Sequence, residues 1–70
     1  MSWVKEYGKW RYYIGNNMLT GWQKLNWSKG TDWFYFDKES GNMLTGLQKV
    51  NDHKLEGTFY FDPETGALVK

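Results

Sequence analysis

Trp33-Phe34-Tyr35-Phe36-Asp37-Lys38-Glu39-Ser40-Gly41 returns 25 residues later as Thr58-Phe59-Tyr60-Phe61-Asp62-Pro63-Glu64-Thr65-Gly66. The aromatic run has the alternation of a strand, in which Trp33 and Tyr35 point to one face and Phe34 and Phe36 to the other. Rings on both faces require a packing partner on each side. The Asp start and Gly end of the following segment suit a turn, because Asp can accept from the backbone ahead of it and Gly tolerates a left-handed conformation. Working outward, Gly21, Gln23, Lys24, Asn26 and Lys29 recur as Gly46, Gln48, Lys49, Asn51 and Lys54, with Leu25/Val50 and Met43/Leu68 as conservative pairs. Residues 21–45 and 46–70 are thus two repeats. A shorter copy spans 3–20, where Trp3, Trp10, Tyr12, Tyr13, Met18 and Leu19 align with Trp22, Trp33, Tyr35, Phe36, Met43 and Leu44.

Each repeat reads as a hairpin. Trp22-Gln23-Lys24-Leu25-Asn26 alternates before the turn signal Ser28-Lys29-Gly30-Thr31, and Trp3-Val4-Lys5 joins Trp10-Arg11-Tyr12-Tyr13 through Glu6-Tyr7-Gly8-Lys9. The third repeat has a longer turn around Asn51-Asp52-His53-Lys54. Helix is disfavoured because Gly or Asn interrupts every short run of helix formers. Single hairpins cannot bury a face alone, so neighbours must stack. The expected fold is all-β: three stacked β-hairpin repeats forming a short β-solenoid, within one module covering residues 1–70.

Composition limits the function. The chain has 70 residues, no Cys, and a formal net charge of +1, so neither a disulfide nor a thiolate zinc site can staple it. Trp, Tyr and Phe make up 20% of the chain and must supply most of the core. The absence of a basic stripe argues against nucleic acid. No apolar run reaches the roughly 18–20 residues of a membrane span, and the first residues carry no signal-peptide core; a soluble chain is expected. No nucleophile motif, phosphate loop or metal-ligand cluster is present. His53, the one histidine, lies in an unrepeated turn, and the Asp37/Asp62 and Glu39/Glu64 pairs recur at turn positions. The expectation is therefore no enzyme, no cofactor and no metal.

The strings Gly8-Lys9-Trp10-Arg11-Tyr12-Tyr13, Met18-Leu19-Thr20-Gly21-Trp22-Gln23-Lys24 and Met43-Leu44-Thr45-Gly46-Leu47-Gln48-Lys49 resemble the choline-binding (cell-wall-binding) repeats of Gram-positive surface proteins and phage lysins. The resemblance covers almost the whole chain. It implies hairpins wound into a left-handed superhelix, ligand held where successive hairpins meet, and a bacterial cell-surface or secreted location. The implied partner is choline or phosphocholine on teichoic acid. The chemistry agrees, since a quaternary ammonium has no hydrogen to donate and is best held by π faces, each contributing about 0.5–2 kcal/mol.

Two cages are expected. One combines Trp22 and Trp33 with Tyr60 from the next hairpin, and by the resemblance Met43 lines its floor, where a flexible thioether suits methyl groups. The other combines Trp3, Trp10 and Tyr35 with Met18. Taken singly, each of these indoles reads first as core; their recurrence in pairs favours cages. Phe34, Phe36, Phe59, Phe61 and Tyr13 are assigned to packing because they lie on the opposite face. Trp27 has no counterpart and is expected to cover a turn. The third hairpin carries Leu47 and Thr58 where Trp22 and Trp33 stand, so it founds no cage; its outer face is either a cap, a dimer contact or a junction with further repeats. Polysaccharide (glucan) binding and a structural or dimerising role are the alternative functions.

Overall fold

The computed structural model describes residues 2–69; Lys70, the last residue of the third repeat, lies outside them. All the regular structure among these residues is strand. Strands β1 (Ser2–Glu6) and β2 (Lys9–Ile14) form the first hairpin, with β3 (Asn17–Met18) added to the edge of β2. Strands β4 (Gly21–Trp27) and β5 (Gly30–Phe36) form the second hairpin, and β6 (Gly46–Val50) and β7 (Gly57–Phe61) the third. All pairings are antiparallel.

The turns follow from local chemistry. Glu6 pairs with Lys9 around the two-residue turn Tyr7-Gly8, where both residues take positive φ, the conformation of a type I′ hairpin turn. Trp27 pairs with Gly30 around Ser28-Lys29, whereas Val50 pairs with Gly57 across the longer loop 51–56. Asp37 Oδ1 accepts the Glu39 and Ser40 backbone N–H groups at 2.8 and 2.9 Å, and Asp62 Oδ1 accepts those of Glu64 and Thr65 at 2.8 and 3.0 Å. These bonds to the charged form hold both carboxyls below the usual carboxylate range. The repeated carboxylates therefore serve turns.

After each turn the chain returns to the sheet for a single residue. Met43 bridges to Phe36, and Leu68 bridges to Phe61. Their N–H groups reach back one repeat, Met43 to the Trp10 carbonyl and Leu68 to the Trp33 carbonyl, both at 2.8 Å. These stitches tie the hairpins into a stack.

Stacking alternates in a fixed sense. The Trp/Tyr face of one hairpin meets the Phe face of the next, so Trp3 lies against Phe34 and Phe36, and Trp22 against Phe59 and Phe61. Two clusters result: Tyr12, Phe34, Phe36 and Met43 at the first junction, and Trp22, Tyr35, Val50 and Phe61 at the second. Phe34, Phe36 and Phe61 are completely buried; burial of such a side chain contributes about 1.5–3 kcal/mol. The outer face of the third hairpin receives no Phe pair, leaving Leu47 71% and Tyr60 44% exposed.

Candidate functional site

Strand pleat and register place the second indole pair. Trp22 is registered opposite Tyr35, and Trp33 opposite Lys24, so Trp22, Tyr35 and Trp33 share the face turned toward the third hairpin. The two indoles meet at nearly a right angle, with centroids 6.3 Å apart and planes at 83°. Trp22 is held on its other sides by Tyr35 at 5.1 Å, Phe59 at 5.2 Å and Phe61 at 5.7 Å. Its Nε1–H donates to the Leu55 carbonyl at 3.0 Å. Trp22 is therefore a fixed wall, and Trp33, only partly buried, is the more open one.

Between these walls lies a cavity of about 450 Å³ bordered by Trp22, Trp33, Lys54, Leu55 and Leu68. Its lining is mainly apolar, and its volume falls in the range of roughly 300–1,000 Å³ usual for small-molecule sites. The loop that closes it is set by Asp52, a buried carboxylate. Asp52 Oδ1 accepts the Lys54 backbone N–H at 2.9 Å, and the Asp52 carbonyl accepts the Leu55 N–H at 3.0 Å. Asp52 Oδ2 accepts the Tyr35 hydroxyl at 3.2 Å and lies 3.2 Å from Lys38 Nζ. The Lys54 N–H is the foremost cause holding the Asp52 carboxyl below its ordinary range, with Lys38 and Tyr35 adding to it against the effect of burial. Burial, then the Asp52 charge, pushes the Tyr35 phenol up.

The first indole pair repeats this geometry but not its surroundings. Trp3 and Trp10 are 6.2 Å apart at 87°, and Trp3 meets Tyr12 at 5.0 Å, Phe34 at 5.3 Å and Phe36 at 5.9 Å. Here Trp27 packs edge-on against Phe34 with centroids 5.7 Å apart, and its Nε1–H donates to Asp32 Oδ2 at 2.7 Å. Trp27 thus does more than cover a turn: it flanks the first junction, and the position 25 residues on holds the unlike residue Asp52. A smaller cavity of about 220 Å³ adjoins Trp10, with Lys5 and Lys9 on its border.

The remaining expected site residues are distributed otherwise than the sequence suggested. Met43 lies beside Trp10 and not with Trp22 and Trp33, because its backbone stitch reaches back one repeat; Leu68 holds the corresponding place in the second niche. Met18 lies against Gly41 in the 37–41 turn, as Met43 does against Gly66. Tyr35 belongs to the second junction, packed with Trp22, and does not close the Trp3/Trp10 niche. Tyr60, its counterpart, faces outward. Pleat parity is the reason, since a residue two positions along a strand from Trp33 turns the same way as Trp33. The structure adds Lys54, Leu55 and Leu68 to the second niche. Leu68 was detectable as the repeat partner of Met43; Leu55 stands where the preceding repeat has Gly30 and carries no sequence signal.

No family model and no curated protein matches the chain. Among solved structures, the chain is similar to CbpF in complex with ipratropium, with 33% identity, a TM-score of 0.75, and coverage of 97% of this chain and 19% of that one. A second structure, choline-binding protein F from Streptococcus pneumoniae in the presence of a peptidoglycan analogue, aligns at 28% identity and a TM-score of 0.46, covering 97% of this chain and 27% of that one. The chain therefore spans only a fraction of the length of the proteins it resembles.

Proposed function

We propose, from the premise that this chain is related to the choline-binding repeats, that it is a non-catalytic cell-wall-binding module whose ligand is the choline of a surface teichoic acid. The observation that carries this reading is the crossed Trp22/Trp33 pair beside an apolar cavity of about 450 Å³. Rings that served only as filler would close on one another; here one face of the pair borders open space. A trimethylammonium group gains from the two indole faces, about 0.5–2 kcal/mol for each, while its methyl groups lie against Leu55 and Leu68. No hydrogen-bond acceptor is required. Lys54 at the border favours a ligand that carries an anion next to its cation, as phosphocholine does. Single sites of this kind bind weakly, and repeats along one polymer raise the overall affinity through effective concentration. A position on the bacterial cell surface follows from this ligand.

Titration with choline, followed by tryptophan fluorescence and by elution from a tertiary-amine resin, tests the reading. Saturable quenching and elution at millimolar choline are expected. Unchanged signals, or retardation in dextran gels in place of a choline response, would replace it with sugar stacking.

A further inference from the structure

The two niches share the repeat-equivalent pairs Trp10/Trp33 and Met43/Leu68, but the first has two lysines on its border and the second one lysine beside a mainly apolar lining. Lys5 is registered opposite Trp10, and its Nζ lies over the Trp10 ring, 5.8 Å from the centroid. The indole face that would receive a ligand cation thus already faces one supplied by the neighbouring strand. The adjoining cavity of about 220 Å³ is bordered by Lys5, Lys9, Trp10, Met43, Thr45 and Pro63. No carboxylate borders it among the described residues. Glu6, which lies between the two lysines in sequence, is turned to Arg11, with Oε1 2.9 Å from Nη1.

We propose that this first-junction niche is an anion site for a phosphate ester, and not a second choline cage. Two ammonium groups on one small cavity repel a further cation, whereas a phosphate oxygen gains charge-assisted hydrogen bonds from both. The Thr45 hydroxyl adds a neutral donor on the same border. Trp10 and Met43 supply an apolar wall for the carbon next to the ester oxygen. A quaternary ammonium would have to displace Lys5 from Trp10 and would then sit between two like charges. The module consequently carries a cation niche at the second junction and an anion niche at the first.

The test is amide and indole chemical-shift titration of the isotopically labelled chain with inorganic phosphate, with glycerol 3-phosphate, and with sodium chloride at matched ionic strength. Both phosphates should give saturable shifts at Gly8, Lys9 and the Trp10 indole beyond those caused by chloride. A free-phosphate site would favour inorganic phosphate, and an ester site glycerol 3-phosphate; equal or weaker binding of the ester overturns the assignment to an ester. Lys5 and Lys9 are exposed, so the Lys5→Gln/Lys9→Gln variant is expected to fold and to bind phosphate at least about tenfold more weakly. Phosphate shifts no larger than those with chloride, or shifts that survive in the double variant, would overturn the proposal, as would a choline titration that moves the Trp10 indole more than that of Trp33. Choline that moves neither indole would instead remove the reading of the second niche while leaving this one to stand on the phosphate data.

Discussion

Trp33→Ala separates ligand binding from folding at the second junction. Trp22 keeps Tyr35, Phe59, Phe61 and its bond to the Leu55 carbonyl when Trp33 is removed. The fold loses one edge-on aromatic contact, of about 0.5–1.5 kcal/mol, and part of the area of a half-buried ring. The proposed cage loses one of its two π walls. At about 0.5–2 kcal/mol for that wall, and 1.4 kcal/mol for each factor of ten, choline affinity should fall by roughly 2- to 30-fold. Calorimetric titration of the wild type and variant measures this directly, and thermal melts supply an independent check. A ligand that binds only the folded state adds about 2.7 kcal/mol at one hundred times its Kd, and 1 kcal/mol moves the Tm of a domain this size by about 4–8 °C. Choline should therefore raise the wild-type Tm by about 10–20 °C at saturation, and the variant's by clearly less at the same concentration. A folded Trp33→Ala protein with wild-type choline affinity would refute the reasoning.

The other predictions concern the scaffold. Gly66 has a φ of +80°, and a Cβ there would collide with the Met43 thioether. Gly66→Ala should lose about 1–2 kcal/mol to left-handed strain and about 1–3 kcal/mol to overpacking, read as a lower denaturation midpoint; an unchanged midpoint would contradict the stitch geometry. Asp37, Asp52 and Asp62 are all held below their ordinary range, chiefly by the N–H groups of Ser40, Lys54 and Glu64 respectively. Because the folded-state values lie below the unfolded ones, the stability they confer is complete above about pH 4 and is lost as pH falls through the lowered values. Tm should stay level from pH 7 to 5 and decline below about 4; a Tm that holds to pH 2 would count against these contacts. For Tyr35 the folded-state value is raised, by burial first and then by Asp52. Its contribution is complete below about pH 10 and disappears as pH climbs through the raised value, a loss that Tyr35→Phe should remove from the alkaline limb of the melt series.

The hairpins were legible in the sequence because alternation in Trp33-Phe34-Tyr35-Phe36 fixes which side chains share a face, and the recurrence of Asp37-to-Gly41 at Asp62-to-Gly66 fixes where each hairpin ends. Alternation alone does not say which neighbouring hairpin a face meets. That direction emerges only when the Phe pair of one hairpin is found against the Trp of the preceding one. Given the direction, Tyr60 must turn away from Trp33, so its assignment to the second cage conflicted with a rule the sequence already contained. Met43 was misplaced for a different reason. Its backbone bond to Trp10 joins residues 33 apart in the chain, and no local pattern encodes a contact over that distance. In the loop 51–56 only Asn51 and Lys54 repeat earlier residues, Trp27 and Gly30 standing where Asp52 and Leu55 do, so neither the Leu55 carbonyl that fixes Trp22 nor the buried carboxylate that shapes the loop had a periodic signal.

The two indoles of a pair do different jobs, and this reconciles a cysteine-free chain of 70 residues with an unfilled niche. Trp22 is 9% exposed and meets rings from its own hairpin and the next, so most of its surface contributes to stacking. The Trp33 carbonyl accepts the Leu68 N–H of the stitch while part of its ring remains open to the cavity. Most of the structural work is thus carried by the backbone of Trp33 and the side chain of Trp22, which leaves one indole face on the cavity without opening the core. In the first repeat the division is the same, with the Trp10 carbonyl holding Met43, but Lys5 covers the freed face. One repeat architecture therefore yields two niches that differ in where the lysine opposite the second indole lies: Lys5 sits over Trp10, whereas Lys24, opposite Trp33, does not border the second niche.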